Sequence, residues 1–285
     1  MSNKIIDDPI KTSVVIVGVF AVLLLSVGIF WDFLTQNILP NTVVGIYKKS
    51  FWESLVIGLH GVLIDLVLVA ILIFWLDHRR NKKALSQQFK EDLEDYAQLD
   101  FDEINLKKLG HLKRLNSNDV YNINVQNLVL NRMHVKNIKF IECKLIGFKV
   151  ADGRVEKSEF TNVNMRSCNF EKSVLKSVKF LNCILLRTKF MNAELKGVHF
   201  NSCNLERSNF LGANMQSVIL KLCDIRGAKF ENANLKRANF LGTENVDVSE
   251  LAKAENLDYI QLDLGLFEEL KVLRPDMNYQ GKSRP

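Results

Sequence analysis

An apolar residue at every fifth position is the feature that most constrains how this 285-residue chain can fold. The pattern runs from Val120 to Phe240, over 25 positions without one insertion. A buried helix face repeats every 3.6 residues and a half-buried strand every 2, so neither element matches. A small or modest side chain stands two residues before most of these positions, and polar residues fill most of the others. An unbroken internal period of this kind indicates a repeat architecture.

A short extended stretch with a tight corner in each block of five would turn one large and one small side chain inward. Four such blocks make a roughly square coil of about 20 residues, and stacked coils bury a continuous core. Phenylalanines support this longer period, because they recur at 20-residue spacing on two opposite faces. The two sets are Phe140, Phe160, Phe180 and Phe200, and Phe170, Phe190, Phe210 and Phe230.

The blocks also share a recognisable sequence pattern. The clearest are "ANLKR" (233–237), "ANFLG" (238–242), "SNFLG" (208–212), "ANMQS" (213–217) and "CNLER" (203–207). They resemble the pentapeptide-repeat family, whose blocks read A-(D/N)-L-x-x. The resemblance implies an all-β right-handed quadrilateral β-helix over residues 120–242, and it implies almost nothing about chemistry. Six coils at a strand spacing of about 4.8 Å give a rod about 30 Å long.

The open ends of such a rod require caps. Residues 243–285 contain "DVSELAKAENLDY" and "LGLFEELKVLRPD", which predict two short helices and a tail that cover the last coil.

Two apolar runs near the N-terminus, residues 12–34 and 54–76, are each long enough to cross a bilayer as a helix. They predict a transmembrane hairpin that follows a tail (1–11) and contains a loop (35–53). The alternative is a pair of buried helices in a soluble domain.

Orientation follows from the basic residues beside the spans. Arg79, Arg80, Lys82 and Lys83 follow the second run, whereas the loop offers only Lys48 and Lys49. The positive-inside rule then places both termini and the β-helix in the cytoplasm. We expect a bacterial inner-membrane protein with two spans.

Residues 77–119 follow the second run. Leu85, Phe89, Leu93 and Tyr96 have helical spacing and predict a cytoplasmic amphipathic helix, whereas the residues after them read as linker and entry cap.

Two polar residues interrupt the second apolar run. Asp65 lies near its middle and His60 five residues earlier. An intramembrane ionisable group is a functional hypothesis by default. Asp65 either hydrogen-bonds across a helix–helix or oligomer interface, or it lines a path for ions or protons.

Charge is distributed unevenly along the chain. Net charge is −1 over residues 1–119, +11 over 120–242 and −4 over 243–285. Basic residues of the repeats fall into outward columns at multiples of 20 residues. Glu156 and Gln216 interrupt the lysine column that starts at Lys136. The predicted basic binding face consists of Lys136, Lys176, Lys196 and Lys236, with Arg166 and Arg226, and Arg187 and Arg207, in two further columns.

Other candidate chemistry can be explained by packing. All five cysteines occupy the small inward position, where each takes the place of Ala, Ser or Val, so we expect reduced thiols in the core. They are Cys143, Cys168, Cys183, Cys203 and Cys223. The five histidines are scattered, and the sequence contains no recognisable nucleophile–base pair or phosphate-binding loop. We therefore predict no enzyme, no catalytic residues, no cofactor and no metal.

These features predict a membrane-anchored, non-enzymatic scaffold that presents a basic rod to a protein partner. Nucleic acid and anionic lipid headgroups are weaker candidates. The alternative is a homo-oligomeric membrane effector whose hairpins assemble into a pore or disturb the bilayer. Some pentapeptide-repeat proteins protect DNA gyrase by imitating DNA, and a rod of +11 disfavours that role.

Overall fold

The structure is a computed structural model that describes residues 9–37 and 49–279. Side chains are described from residues 15 and 50 onward in these two ranges. Most of the predicted N-terminal tail, the middle of the predicted loop and residues 280–285 lie outside the described residues. The chain divides into two compact units, 1–84 and 85–285.

The first predicted span is a bent helix pair, which corrects the single helix expected over 12–34. Helix α1 (Pro9–Ile29) and helix α2 (Trp31–Asn37) meet at an angle of 65°. The Ser26 hydroxyl donates to the Val22 carbonyl at 2.7 Å, two residues before a glycine. Serine back-bonding and Gly/Ser pairs both favour bends in helices, which explains the break.

Helix α3 (Lys49–Asp95) joins the second predicted span to the predicted amphipathic segment without a break at residues 76 and 77. No glycine or proline occurs between Val62 and Asp95, and nothing in this stretch breaks a helix. The helix also begins inside the predicted loop. Its amphipathic part buries Phe89 and Leu93, whereas Leu85 is exposed.

The apolar part of α3 has a mean hydropathy of 2.7 in its best 18-residue window, none of which is buried. The described residues contain one helix long and apolar enough to cross a membrane, or two if α1 and α2 count as one bent span.

The predicted β-helix is confirmed as a parallel β-solenoid. Residues 20 apart pair in register, as in the ladder that starts with Asn124 and Lys144 and reaches Glu244 after six steps. Three-residue strands form where the pairing is longest, in a sheet ordered β1-β3-β5 and a sheet ordered β2-β4-β6-β7-β8. They are β1 (His134–Lys136), β2 (Lys139–Ile141), β3 (Arg154–Glu156), β4 (Glu159–Thr161), β5 (Val174–Lys176), β6 (Lys179–Leu181), β7 (His199–Asn201) and β8 (Ile219–Lys221).

Stacked phenylalanine rings fill the core as the period predicted. Phe180 lies 4.9 Å from Phe160 and 5.0 Å from Phe200, centroid to centroid, with nearly parallel planes. The second stack meets the first edge to face, for example Phe170 against Phe180 at 6.4 Å. Offset and edge-to-face contacts are the favoured geometries of aromatic pairs, so the two stacks support each other.

Helix α4 (Asp102–Ser117) covers the N-terminal end of the solenoid. It buries Leu112 and Leu115 completely. Lys108 is also fully buried, and its ammonium donates to the carbonyls of Ala97, Leu99 and Val129 at 3.2, 2.8 and 2.5 Å. Burial lowers the pKa of Lys108 to about 8. This lysine ties the cap to the first coil.

The C-terminal cap contains the two short helices expected, α5 (Val248–Leu251) and α6 (Leu264–Leu273). The Asp247 carboxylate caps α5 by accepting from two backbone amides. Leu270 of α6 is fully buried, and Arg274 donates to two backbone carbonyls of the segment between the helices. Together these contacts close the last coil.

Candidate functional site

Each block of five directs its side chains in a fixed way. Around Phe190, the ring and Thr188 point into the core while Lys189 is exposed. Asn192 has a φ of +55°, and the Ala193 amide donates to the Phe190 carbonyl at 3.1 Å. A positive φ at the third residue of such a turn is the mark of type II geometry. Outward positions are therefore the residues flanking the large one and the corner residue.

The left-handed corners are a feature that sequence reasoning missed. The corner residue has a positive φ in block after block, and it is mostly Asn, Ser, Arg, Lys or Gly. Asparagine and glycine are the residues that tolerate this conformation best. Their frequent occurrence at this position of the block was a signal that could have identified the corners.

The predicted lysine column exists. Register pairs Lys136 with Glu156 and Glu156 with Lys176 on neighbouring coils, and the backbone ladder continues the column past Lys196 to Lys236. Lys136, Lys176 and Lys196 are exposed, whereas Lys236 is half-buried. No ion pair to these lysines occurs within the described ranges 9–37 and 49–279.

Glu156 interrupts this column and has its own partner. Its carboxylate lies 3.0 Å from Nε2 of His134. Desolvation acts against ionisation, but the His134 hydrogen bond and the charges of Lys136 and Arg154 together hold the pKa of Glu156 below its usual range. The carboxylate is therefore charged and only partly available to the lysines beside it.

The arginine columns are present, and two of their members have acidic neighbours. Arg207 lies 3.6 Å from Glu206 and Arg226 lies 3.9 Å from Asp224. Both guanidinium groups are more than 60% exposed, so these pairs contribute little to stability and leave the charges accessible. Arg166 and Arg187 are also exposed.

A further lysine column escaped the sequence analysis. Lys149, Lys189 and Lys229 alternate with Asn169 and Asn209 along one ladder of bridges. All three lysines are exposed. Asparagine at every second position makes this column less conspicuous in the sequence than a run of adjacent charges. The solenoid therefore carries lysines on more than one side.

The five cysteines are buried and free, as expected for core packing. Burial raises the pKa of Cys168 to about 12, and hydrogen bonding to Cys203 together with burial raises the pKa of Cys183 and Cys223. Cys183 also donates to the Phe160 carbonyl of the previous coil at 3.3 Å. Ser208 and Thr188 make the same contact from the same inward position, so the thiols act as small hydrogen-bonding fillers. No cluster of metal-ligating side chains occurs in the part of the chain that the structure describes.

His60 and Asp65 do not come together. Nδ1 of His60 lies 2.7 Å from the Val56 carbonyl, and the ring is turned toward Gly28 of α1. Asp65 is exposed. Five residues separate them by about 140° around the helix, so Asp65 lies on a different side of α3 from the one that meets α1.

Family comparison agrees with the repeat geometry. Residues 175–249 match the family model described as a pentapeptide repeat region. The chain carries a pentapeptide-repeat domain. This domain is a scaffold-like fold built from side-chain ladders, and the match includes the last repeats and the start of the C-terminal cap. No curated protein sequence matches the chain.

Solved pentapeptide-repeat structures resemble the chain more distantly. A protein from the thylakoid lumen of Arabidopsis thaliana is 19% identical, with 33% of this chain aligned to 65% of that one and a TM-score of 0.32. The plasmid-mediated fluoroquinolone resistance protein QnrB1 is 14% identical over 55% of this chain and 90% of its own, with a TM-score of 0.36. HetL, involved in heterocyst differentiation regulation in Nostoc, is 13% identical over 54% and 90%, with a TM-score of 0.17. These similarities carry no inference about function.

Proposed function

We propose that this protein is a membrane-anchored, non-enzymatic scaffold whose basic pentapeptide-repeat domain binds a protein partner at the cytoplasmic face of a bacterial inner membrane. The observation that carries the proposal is the set of exposed basic columns, held at fixed register by the ladders. Lys176 and Lys196 are adjacent members of one column, about 4.8 Å apart along the solenoid. Stacked like charges cost stability, so a partner of opposite charge explains them better than folding does.

Membrane anchoring rests on α3. Its apolar stretch is unburied along the best hydropathy window. Exposing such a stretch to water would forfeit roughly 25 cal/mol for each Å² of apolar surface, and a bilayer removes that cost. Arg79, Arg80, Lys82 and Lys83 after this stretch support a cytoplasmic β-solenoid.

Partner binding can be tested with two matched triple variants of the full chain. In the first, Lys176→Gln, Lys196→Gln and Lys236→Gln remove three charges from the predicted column. In the second, Lys149→Gln, Lys189→Gln and Lys229→Gln remove three charges from another. Photo-crosslinking from a probe placed at Gln216, followed by mass spectrometry, should recover an acidic partner with the parent protein and the second variant. The yield should fall at least fivefold with the first. Equal yields from all three proteins would refute the basic-column proposal.

Topology can be tested with single introduced cysteines, because all five native thiols are buried. Ser202→Cys lies at an exposed corner of the solenoid. In spheroplasts it should react with a membrane-impermeant maleimide only after permeabilisation. Thr42→Cys, in the predicted extracytoplasmic loop, should react with the maleimide without permeabilisation. Labelling of Ser202→Cys in intact spheroplasts would overturn the proposed orientation.

A second function, an oligomeric membrane effector, is favoured by the position of Asp65. The carboxylate is exposed on a side of α3 where Gly58 and Gly61 also have open space around them. A bare carboxylate in hydrocarbon costs at least about 2.5 kcal/mol, and contact with a second copy at the two glycines would shield it.

Asp65→Leu separates the two functions. An effector should lose liposome permeabilisation and its oligomeric state in detergent, whereas a scaffold should keep its crosslinked partner. Asp77→Asn, beyond the apolar run, is the control and should change neither measurement. A parent protein that is monomeric in detergent would exclude the effector.

A further inference from the structure

A groove lies where the end of α4 meets the first coil of the solenoid. It has a volume of about 450 Å³, within the range of small-ligand sites. Every residue around it belongs to the compact unit 85–285. Lining residues are Lys113, Asn116, Ser117, Tyr121, Lys136, Asn137, Ile138 and Lys139.

The walls of the groove are held together by specific contacts. The Asn116 side-chain oxygen accepts a hydrogen bond from the Lys139 amide at 2.7 Å, which joins the end of α4 to β2. Tyr121 donates to Asp119 at 2.9 Å, and the Lys139 ammonium lies 6.0 Å from the Tyr121 ring centroid. The groove is therefore a preorganised feature of the cap–coil junction, and it gives the otherwise flat repeat surface a concavity.

The lining is cationic. Lys113, Lys136 and Lys139 are all exposed, and no carboxylate lines the groove. The Asp119 carboxylate accepts from the Tyr121 hydroxyl at 2.9 Å, and Glu156 and Glu159 lie one coil away from Lys136 and Lys139. Glu156 already accepts from His134, which reduces its ability to neutralise Lys136.

Acidic residues beside Tyr121 belong to a different groove. A second groove there is lined by Asp119, Val120, Tyr121, Asn122, Ile141 and Glu142. The two grooves share Tyr121, and the lysines line one of them while the carboxylates line the other. Lysine ammonium groups together with an amide donor, here the Asn137 side chain, are a set suited to phosphate oxygens.

We infer that the groove lined by Lys113, Lys136 and Lys139 binds a phosphorylated anion, either a free phosphorylated metabolite or the headgroup of an acidic phospholipid. This site deepens the proposed function, because it gives the basic domain a defined small-ligand site beside its protein-binding columns. Its ligand would bridge α4 and the first coil, and so stabilise the N-terminal cap.

Calorimetric titration of the full chain in a neutral detergent at about 150 mM salt tests the inference, where the Debye length is only about 8 Å. The two probes are inorganic pyrophosphate and dihexanoyl phosphatidic acid. The parent protein should bind at least one of them. Tighter binding of pyrophosphate identifies a soluble ligand, and tighter binding of the lipid identifies a headgroup.

The site variant combines Lys113→Gln, Lys136→Gln and Lys139→Gln, and it should bind the preferred probe at least tenfold more weakly. The control is the Lys149→Gln, Lys189→Gln, Lys229→Gln protein, which loses the same charge and should stay within twofold of the parent. Equal weakening in both variants would mean that only the overall charge attracts anions, and this overturns the inference. Absence of binding by either probe also overturns it.

Failure of this inference is distinguishable from failure of the scaffold proposal. The crosslinking test uses Lys176, Lys196 and Lys236, none of which lines the groove. All three lysines of the site variant are exposed, so its melting temperature should match that of the parent, which confirms folding.

Discussion

Corner residues determine how each block of five turns, and they operate at the scale of single residues. Most adopt a left-handed conformation that Asn and Gly accept at low cost. Along one corner of the solenoid, Asn162 and Asn182 follow each other, and the Asn182 amide donates to the Asn162 side-chain oxygen at 3.2 Å. Leu222 occupies the same corner two coils later, with a φ of +54° and 56% of its surface exposed. At such a position the only stabilising contribution of a leucine side chain is its contact with the coil that follows.

Replacing this leucine should stabilise the protein. Leu222→Asn relieves a left-handed penalty of about 1–2 kcal/mol for a residue with an unfavourable Cβ. The substitution also removes the packing of the leucine over Gly242, where an added Cβ would lie 3.8 Å from Leu222 Cδ2. We expect a net gain of about 0.5–1 kcal/mol and a rise of a few degrees in melting temperature by circular dichroism.

Asn182→Leu is the reciprocal control and should lower the melting temperature, since it adds the same penalty and removes the hydrogen bond to Asn162. If Leu222→Asn melts lower than the parent, the leucine packing outweighs the backbone cost.

At the scale of elements, the N-terminal cap depends on one buried charge. Lys108 projects from α4 into a site where three carbonyls accept from its ammonium, and it is fully buried. Burial lowers its pKa from 10.5 to about 8, although the charge of Asp100 opposes the shift. The folded state therefore disfavours the charged form relative to the unfolded state.

Stability should accordingly depend on pH through this residue. Between pH 8 and 10.5 the unfolded chain keeps the Lys108 proton that the folded protein has lost, so stability rises with pH. One pKa unit corresponds to about 1.4 kcal/mol, which makes the total gain up to about 3 kcal/mol. Urea unfolding of the parent and of Lys108→Met should show this gain only in the parent.

Lys107→Met, an exposed neighbour on the same helix, should retain the pH dependence of the parent. Parallel pH profiles for the parent and Lys108→Met would show that the ammonium stays charged when buried.

At the scale of the whole molecule, the solenoid has to be closed at both ends because its outer coils expose strand edges. Helix α6 closes the C-terminal end and buries Leu270 completely, while Val272 on the same helix is 81% exposed. The cap continues the ladder, since Asn234 pairs with Asn256 and Asn239 with Gln261. The last true coil is therefore covered by a coil of the cap before the helix is reached.

A charge at Leu270 should open this end. Leu270→Asp places a carboxylate without a partner in an apolar site, at a cost of several kcal/mol. We expect a melting temperature lower by 5 °C or more and concentration-dependent association in sedimentation velocity. Val272→Asp introduces the same charge on the exposed side and should leave both measurements unchanged. If both variants remain monodisperse and melt like the parent, α6 is dispensable as a cap.

How far the sequence predicts this structure depends on the range of the interactions. The inward orientation of the Phe180 and Cys183 side chains follows from periodicity, because each position in a block repeats the same local environment. The end of the first apolar helix was mispredicted, since hydropathy averages over a window and does not detect a Ser26 back-bond. Continuity of α3 past residue 76 was missed for a related reason, because a change in polarity does not interrupt backbone hydrogen bonds.

The sequence by itself determined the solenoid, its inward ladders and the basic columns, because a strict period repeats one set of local contacts and leaves a single way to stack them. Only the tertiary structure decided where the surface becomes concave, which charges are paired and which side of α3 carries Asp65. Those features depend on residues far apart in the chain, such as Asn116 and Lys139, whose contact closes the groove. No period in the sequence encodes that contact, because it joins a helix to a coil and occurs once.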